Sequence, residues 1–302
     1  MYKNSVVTVG VFDGVHSGHK AIIKKVVKKA KSLGLKSVVV TFDPHPLRVL
    51  DPNHFVPSLM SLKHRINLIK ELGIEEVLVM KFNKKVAKLS AKRFVEDILI
   101  KKMGAKYIVV GEDFCFGKGA LANTRKLKAI CEERSVKIEI VMAVKKNSHI
   151  ISSTIIRRLI MDGDIHGASR LLGRPFSILG TVVKGTKLAR TLGYPTANLN
   201  PHHEAMPPTG VYAVRIGFEG KTYNGVMNIG VKPTFYNHGR DKEPEIEVHI
   251  FDFAEAIYGR QVEVEFCKKL RDEEWFENLD LLKDQMVIDA EQARDYFDKL
   301  SG

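Results

Sequence analysis

The sequence predicts two domains of different class: an α/β domain built on a parallel sheet, then a small antiparallel β-barrel with a closing helix. In the first half of the chain, short β-branched strand patterns alternate with helical patterns. From residue 176 onward, strand patterns follow one another, separated by turn residues, and a helical pattern comes last. The 302 residues are enough for two such domains with a core in each.

In the first half, helical patterns at residues 18–33, 61–72, 90–103 and 124–134 separate the strand patterns. The strand patterns are Val6–Val11, Ser37–Phe42, Val77–Lys81, Tyr107–Gly111 and Ile138–Val144. Ser61 and Ser90 each precede a helical run and are predicted N-caps. This alternation indicates βαβ units and a parallel sheet. Because such sheets bind ligands beyond the carboxyl ends of their strands, we expect the motifs at those ends to meet.

The alternation ends near residue 145. Ser152-Ser153-Thr154 precede a helical run that carries Arg157, and a break at Asp162-Gly163-Asp164 leads into a short helix. Gly173-Arg174-Pro175 then predict the end of that short helix and a linker. We therefore expect a first domain at residues 1–158, a linker with a short helix at 159–175 and a second domain at 176–302.

Turn residues separate the strand patterns of the second half, at Glu219-Gly220, Lys232-Pro233 and Tyr258-Gly259. The strand patterns are Ser177–Val183, Gly210–Gly217, Lys221–Gly230, Glu245–Phe253 and Gln261–Lys268. A helical pattern from about Leu279 to Phe297 follows. Short antiparallel strands closed by one helix are typical of a small Greek-key barrel.

The composition, 44% apolar and 27% charged, is that of a soluble globular protein. No run of about 18 apolar residues predicts a membrane span, and the chain begins with a strand pattern rather than a signal peptide. The cysteines, Cys115, Cys131 and Cys267, are widely spaced and odd in number, which suits a reducing compartment and forms no zinc pattern. We therefore expect a cytoplasmic protein that does not enter the membrane.

The net charge of +13 is concentrated in the first half of the chain. Residues 1–158 hold 31 Lys and Arg against 13 Asp and Glu, whereas residues 159–302 hold 17 against 22. Such a field favours anionic partners, either nucleic acid or a polyphosphate substrate. Many of these lysines repeat along one predicted helix, so a solvated helix face explains part of the excess.

The first strand pattern ends in the motif Gly-x-Phe-Asp-Gly-x-His-x-Gly-His, which contains Gly10, Gly14, His16, Gly18 and His19. A strand that becomes a helix through glycines presents free backbone N–H groups and the positive end of the helix dipole. The motif is neither a Walker A loop nor a Gly-x-Gly-x-x-Gly dinucleotide loop. It favours a nucleotide-phosphate site over an ordinary turn with exposed histidines. A zinc site lacks further ligands at suitable spacing.

Three further segments end strands or begin a helix in the same half: Thr41 to Pro46, Gly111 to Gly117, and Ser152 to Arg157. The second offers aromatic rings that could line a slot for a flat ligand. The third offers hydroxyls, backbone amides and an arginine at a helix N-terminus, which suits a polyphosphate. Taken alone, Ser-Ser-Thr is equally well explained as an N-cap.

Together and in order, these motifs resemble the FMN adenylyltransferase module of prokaryotic bifunctional riboflavin kinase/FAD synthetases. The resemblance implies a nucleotidyltransferase domain with a Rossmann-like parallel sheet. It implies that His16, His19 and Arg157 steady the triphosphate of ATP while the FMN phosphate attacks the α-phosphorus and pyrophosphate leaves. It implies flavin contacts at Phe114 and Phe116, and ATP contacts at Gly10, Phe12, Asp13, Gly14, His16, Gly18, His19, Asp113, Ser153, Thr154 and Arg157.

Three positions depart from that family pattern. Ile155 stands where a basic residue is common, Cys115 where arginine is common and Ala122 where glycine is frequent. One fewer arginine is expected to weaken the phosphate contacts.

In the second half, the stretch Pro195-Thr196-Ala197-Asn198 offers neutral oxygens that suit a Mg²⁺ shell, although composition alone favours an ordinary turn. Glu245, Glu247 and His249 alternate with apolar residues and share one face of a predicted strand. A carboxylate there could take a hydroxyl proton, although a glutamate on an exposed strand is usually only solvated.

The order Gly-x-Val-Val-x-Gly, Leu-Gly-x-Pro-Thr-Ala-Asn, Gly-Val-Tyr, Asn-Ile-Gly, Glu-Val-His and Tyr-Gly is similar to riboflavin kinase, with a riboflavin kinase-like barrel as the implied fold. The resemblance implies that Glu247 is the base that activates the ribityl 5′-hydroxyl and that Thr196 and Asn198 hold Mg²⁺. It implies ATP contacts at Gly180, Lys184, Gly185, Thr196 and Asn198 and flavin contacts at Asn228 and Arg271. Ala189 replaces a glycine that is common in the phosphate-side loop.

The resulting expectation is a bifunctional enzyme that acts on riboflavin, FMN, FAD, ATP and ADP, with Mg²⁺ as cofactor. Two alternatives stay open at this point. One is a nucleic-acid-binding protein that uses the basic N-terminal surface, although the helix lysines lack interleaved aromatic residues. The other is a nucleotidyltransferase for a different phosphorylated acceptor, which leaves the β half unexplained.

Overall fold

Two compact units, Met1–Ile156 and Arg157–Gly302, make up the computed structural model of the chain. The structure describes residues 4–53, 55–146, 149–185, 193–231 and 245–301. We call the two parts the N-terminal unit and the C-terminal unit. Among the described residues, no helix has the length and apolar character needed to span a lipid bilayer.

The N-terminal unit is built on a five-stranded sheet in which all neighbours are parallel. Its strands are β1 Ser5–Val9, β2 Lys36–Asp43, β3 Glu76–Lys81, β4 Ala105–Gly111 and β5 Lys137–Val141. Their order in the sheet is β3-β2-β1-β4-β5. The chain therefore reverses its direction of travel across the sheet between β1 and β4, which creates a crevice beyond their carboxyl ends.

Helices cover both faces of this sheet, so its central strands are buried and mostly apolar. Val6, Val39 and Val109 pack on one side, with helix α1, whereas Val7, Val40 and Ile108 pack on the other. The helices are α1 Ser17–Leu33, α2 Pro46–Leu50, α3 Leu62–Glu71, α4 Lys84–Ala87, α5 Ala91–Arg93 with a π-helix over Phe94–Lys102, and α6 Thr124–Glu133. Parallel strands buried on both faces are expected to read as continuous apolar runs.

A short hairpin and two helices connect the sheet to the second half of the chain. The hairpin consists of β6 Lys145–Lys146 and β7 His149–Ile150. Helix α7, Ser153–Met161, contains the division between the two units, and α8, Ile165–Leu172, follows.

The C-terminal unit is a closed antiparallel barrel with the order β10-β11-β12-β9-β8-β13. Its strands are β8 Ser177–Val183, β9 Ala197–Pro201, β10 Gly210–Phe218, β11 Lys221–Gly230, β12 Glu245–Ile250 and β13 Gln261–Arg271. Strand β13 returns to pair with β10 after the run β10-β11-β12, which is the Greek-key arrangement. The C-terminal helix, α9 Leu279–Ser301, packs Ala293 and Phe297 against Ala213 of β10.

The predicted fold class is therefore confirmed, as are the N-caps: Ser61 Oγ accepts from the His64 amide at 3.2 Å and Ser90 Oγ from the Arg93 amide at 3.3 Å. Four predicted strands end two or three residues from the observed end. Strand β1 ends at Val9 and β5 at Val141, both earlier than predicted, whereas β13 continues to Arg271. Strand β12 ends at Ile250 because Asp252 takes a positive φ of 56° in the turn that follows.

Several short elements escaped prediction because they carry too few residues for a periodic pattern. They are α2, α4, the β6–β7 hairpin and β9. The segment that becomes β9 has one fully apolar side chain directed inward, Leu199, and pairing with its neighbours is what makes it a strand. The predicted turn at Lys232-Pro233 lies outside the described residues.

Replacing Leu127 by Ala should lower the free energy of unfolding of the N-terminal unit by about 2–5 kcal/mol, since this α6 side chain is fully buried and its loss leaves a cavity. Urea denaturation followed by circular dichroism measures the change. The matched control is Leu121→Ala, because Leu121 is 88% exposed and should change the free energy by less than about 0.5 kcal/mol. Equal shifts for the two variants would contradict the packing described.

Candidate active sites

A cavity of about 580 Å³ opens in the N-terminal unit at the carboxyl ends of β1, β2, β4 and β5. This size is in the range that holds small-molecule ligands. Residues from all four motifs of the first half line it: 10–12 with 16, 18 and 19; 42 and 45–46; 111–117; and 152–154. The parallel sheet thus brings together segments that are more than a hundred residues apart in the chain.

The β1–α1 loop, residues 10–16, directs a helix N-terminus at this cavity. His16 has extended backbone and caps α1, with its Nδ1 accepting from the His19 amide at 3.3 Å. The two imidazole rings stack with centroids 3.6 Å apart, and Phe12 meets His19 edge-on. A Cβ on Gly18 would lie 3.2 Å from the His16 ring, so glycine leaves room for this stacking. Both histidines line the cavity beside the positive end of α1.

The electrostatics around His19 favour an anion in the cavity. Burial holds the pKa of His19 well below 6.5, and the nearby His16 and Arg65 lower it further. Its buried Nδ1 has no hydrogen-bond partner among the described residues. The ring is therefore neutral at neutral pH, and a phosphate group placed beside it would favour the protonated form.

Hydrogen bonds from other elements hold the β1–α1 loop in a strained shape. Phe12 and Val15 take positive φ angles of 55° and 39°, which side-chain-bearing residues rarely adopt. The buried Asp13 carboxylate accepts from the Leu59 amide at 3.0 and 3.1 Å, and Ser153 Oγ donates to the Asp13 carbonyl at 2.8 Å. Asp13 and Gly14 are not among the residues that line the cavity.

The wall contributed by residues 111–117 is aromatic. Phe114 and Phe116 stack with centroids 5.3 Å apart, and both line the cavity together with Asp113 and the exposed Cys115. Ala122 pairs its backbone with Phe116 in both directions, at 2.9 and 3.1 Å. The departures from the family pattern at 115 and 122 thus lie on this aromatic wall.

Helix α7 supplies the hydroxyl residues of the cavity and also contains Arg157. Ser153 and Thr154 line the cavity. Arg157 follows Ser153 by one helical turn and belongs to the C-terminal unit. The exposed Ile155 is on the same helix, where the family pattern commonly has a basic residue.

In the C-terminal unit, strand register places three of the predicted residues in one row. Glu247 of β12 pairs with Asn198 of β9 on one side and with Asn228 of β11 on the other. The flanking Ile246 and Val248 are buried in the barrel, so the row lies on its outer face. The glutamate is thereby set between two amide side chains.

The segment that follows β8 contacts the Asn198 side chain of this row closely. A Cβ on Gly185 would overlap the Asn198 side-chain amide, so the absence of a side chain at Gly185 lets Asn198 lie against this backbone. Lys184 and Gly185 directly follow β8, and Gly180 lies inside β8 opposite Pro201. Ala189 lies outside the described residues, as does most of the loop predicted to bind phosphate.

Contacts of His249 anchor the segment that carries Thr196. Its Nδ1 lies 2.9 Å from the Pro195 carbonyl oxygen, and Tyr194 meets its ring edge-on. Thr196 is partly buried two residues before Asn198, so the two side chains are directed to the same side of the extended chain. Sequence reasoning grouped His249 with Glu247 and assigned it no role.

Arg271 is held by neighbours in its own unit. Its Nε and Nη2 donate to the buried Asp289 of α9, each at 2.8 Å, and Nη1 donates to the Asp272 carbonyl at 3.0 Å. Phe276 lies 5.7 Å from the guanidinium, while Trp275 is exposed. The guanidinium of Arg271, a predicted flavin contact, thus links the end of β13 to α9.

Sequence reasoning missed Arg65, a buried residue of α3 beneath the β1–α1 loop. Helical periodicity alone marks it as one more charged residue in a helix, and only its position under the loop makes it relevant. Among the described residues, no three His, Cys, Asp or Glu side chains converge as a metal site.

Comparisons with known proteins identify both units. The FAD synthetase family model matches residues 1–155, and the riboflavin kinase family model matches residues 172–297. These ranges correspond to the sheet that holds the cavity and to the barrel that holds the Asn198–Glu247–Asn228 row.

Curated relatives match nearly the full length of the chain. Proteins named bifunctional riboflavin kinase/FMN adenylyltransferase are 39% identical in Bacillus subtilis (98% of this chain, 93% of the relative) and 36% identical in Escherichia coli K12 (97% and 92%). The same name belongs to a Buchnera aphidicola protein that is 39% identical over 97% of this chain and 94% of its own length.

A solved structure shares the complete fold. A Streptococcus pneumoniae crystal structure named a macrolide-efflux protein superposes with a TM-score of 0.85 at 36% identity, covering 97% of this chain and 94% of its own. The nucleic-acid and other-acceptor alternatives gain no support from these comparisons. The resemblance noted in the motifs is confirmed: this chain belongs to the bifunctional riboflavin kinase/FMN adenylyltransferase family.

Proposed function

We propose that this chain makes FAD from riboflavin in two ATP-dependent steps. The C-terminal unit transfers the γ-phosphoryl group of ATP to riboflavin, giving FMN and ADP. The N-terminal unit transfers an adenylyl group from a second ATP to FMN, giving FAD and pyrophosphate. The observation that carries this proposal is the match of two different family models to the two units, together with relatives that span nearly the whole chain.

In the N-terminal unit, an FMN phosphate oxygen attacks the α-phosphorus of ATP in line, and the bond to pyrophosphate breaks. The chemistry needs positioned donors for developing charge and no covalent enzyme intermediate. We assign His16, His19 and Arg157 to this task, supported by the histidines lining the cavity at the N-terminus of α1. Ser153 and Thr154 offer further donors, and the stacked Phe114 and Phe116 suit a flat isoalloxazine ring.

In the C-terminal unit, Glu247 takes the proton of the ribityl 5′-hydroxyl as its oxygen attacks the γ-phosphorus and the bond to ADP breaks. The position of Glu247 between Asn198 and Asn228 supports this role, because both amides can orient the carboxylate or the substrate. We assign Gly180, Lys184 and Gly185 to ATP binding, and Asn228 and Arg271 to flavin binding.

Both activities use ATP and typically a divalent metal, and we propose that this metal is Mg²⁺, held by Thr196 and Asn198. The fit is chemical: a hydroxyl and an amide oxygen are hard donors of the kind that Mg²⁺ accepts alongside phosphates and water. The ion would neutralise phosphate charge during transfer.

We assign residues 1–158 to adenylyl transfer, 159–175 to a linker and 176–302 to the kinase. We also propose a cytoplasmic location, supported by three cysteines that all remain free thiols.

Incubation with riboflavin and Mg-ATP should produce FMN first and FAD after it. High-performance chromatography with flavin fluorescence measures both over time. Absence of either product from correctly folded protein would contradict the corresponding half of the proposal. Salt-dependent gel shifts with DNA and RNA test the nucleic-acid alternative in parallel.

Replacing Glu247 by Gln should reduce FMN formation from riboflavin about 100-fold or more, since the amide keeps the shape but cannot take the proton. Adenylylation of added FMN should continue at the wild-type rate. Glu245→Gln, two residues earlier on the same strand face, is the matched control and should retain kinase activity. Wild-type FMN production by Glu247→Gln would remove the glutamate from the role of base.

Replacing His19 by Ala should give the opposite phenotype. Loss of a preorganised donor should slow FAD and pyrophosphate formation from FMN and ATP about 100-fold or more, while riboflavin is still converted to FMN. His166→Ala makes the same replacement at an exposed position of α8 and should behave as wild type. Unchanged pyrophosphate release by His19→Ala would exclude the histidine from the reaction.

A further inference from the structure

Arg65 bridges the carboxyl ends of two neighbouring strands. The side chain belongs to α3 and is only 5% exposed. Its Nη1 donates to the carbonyl oxygen of Val11 at 3.0 Å, and its Nη2 donates to that of Phe42 at 2.9 Å. Val11 lies in the β1–α1 loop, Phe42 lies in β2, and both line the cavity. A single planar guanidinium thus fixes the spacing between the loop and β2.

The Val11 carbonyl oxygen accepts a second hydrogen bond from another direction. Thr41 Oγ1 donates to the Val11 oxygen at 2.9 Å, so both lone pairs of this carbonyl are used. Val11 directly precedes Phe12, the first positive-φ residue of the β1–α1 loop. The hydrogen bonds of Arg65 and Thr41 therefore act where the chain leaves its extended shape and begins the turn toward the histidines.

A buried cation is a costly way to bind two neutral carbonyls. Burial lowers the pKa of Arg65, while the carboxylates of Asp13 and Asp43 raise it and keep the charge tolerable. The Nε atom is buried and has no hydrogen-bond partner among the described residues. Backbone hydrogen bonding alone therefore does not explain why a charged side chain is buried at position 65.

We propose that Arg65 is a positioning residue for adenylyl transfer, which sets the β1–α1 loop against β2 and maintains a positive charge beneath the histidine end of the cavity. It acts through the loop and touches no substrate. This inference rests on the proposed adenylyltransferase function of the N-terminal unit.

The charge of Arg65 acts electrostatically on His19. Arg65 is one of the groups that hold the pKa of His19 below its usual value, after burial and His16. Removing the cation should therefore raise the pKa of His19, because the protonated imidazole would no longer be repelled. A residue with a purely structural role would leave this pKa unchanged.

Three variants test the proposal: Arg65→Met, Arg65→Lys and the control Lys70→Met, which removes a charge from an exposed position of the same helix. Arg65→Met should lower kcat for FAD formation from FMN and Mg-ATP roughly 10- to 100-fold, with a much smaller change in KM for ATP, because the loop loses its alignment. Arg65→Lys keeps the charge, but an ammonium group cannot place two donors as the planar guanidinium does. Its kcat should therefore lie between those of the wild type and Arg65→Met.

Histidine NMR titration supplies the readout that separates charge from geometry. The pKa of His19 should rise in Arg65→Met and remain low in Arg65→Lys and Lys70→Met. Riboflavin phosphorylation, which uses the other unit, should be unchanged in all three variants. Circular dichroism during urea denaturation shows whether the N-terminal unit of each variant is folded. If Arg65→Met does not fold, the reduced kcat expected of Arg65→Lys carries the test.

The outcomes distinguish a failure of the proposed adenylyltransferase function from a failure of the proposed role of Arg65. Wild-type protein that makes no FAD from FMN and ATP would contradict the proposed function. Wild-type protein that makes FAD, with Arg65→Lys and any folded Arg65→Met equally active, would overturn the role of Arg65. So would a His19 pKa that is the same in Arg65→Met and wild type.

Discussion

The N-terminal site depends on the hydrogen bonds that hold the β1–α1 loop. The loop must turn a buried strand into a helix while presenting backbone N–H groups and two imidazoles on one side. Positive φ angles at Phe12 and Val15 make this shape unfavourable by itself. Bonds from the loop at Leu59, from Ser153 of α7 and from Arg65 of α3 stabilise it. The shape of the loop is therefore a property of several elements, each distant in sequence.

The C-terminal site depends instead on register. A barrel with one buried face specifies its register strongly, since a slip of one residue would turn every apolar side chain outward. Ile246 and Val248 hold β12 in place from inside the barrel, and the same pairing aligns Glu247 with Asn198 and Asn228 outside it. The packing that stabilises the barrel thus also positions its polar row.

The positive charge of the first half fits a domain that handles triphosphates. Part of the α1 lysine face is occupied by the sheet beside it: Lys25 pairs with Glu139 at 2.8 Å, and Lys29 lies over the ring of Tyr107. Surface pairs of this kind contribute little to stability. The chemistry of the two units is complementary, because the phosphate ester made by the kinase is the nucleophile of the adenylyl transfer.

The sequence by itself determined the two fold classes, because strand and helix periods are local. Its motifs, taken in order, resembled one family, and that resemblance implied the reaction types and the candidate residues. The sequence also located the N-caps Ser61 and Ser90. Only the tertiary structure decided that the Asp13 carboxylate binds the Leu59 amide, that Arg271 binds Asp289 and that Asn198 contacts the Gly185 backbone. The tertiary structure also decided that short elements such as β9 form and that Arg65 lies under the loop. Their positions depend on pairing and burial between residues far apart in the chain, which local patterns do not encode.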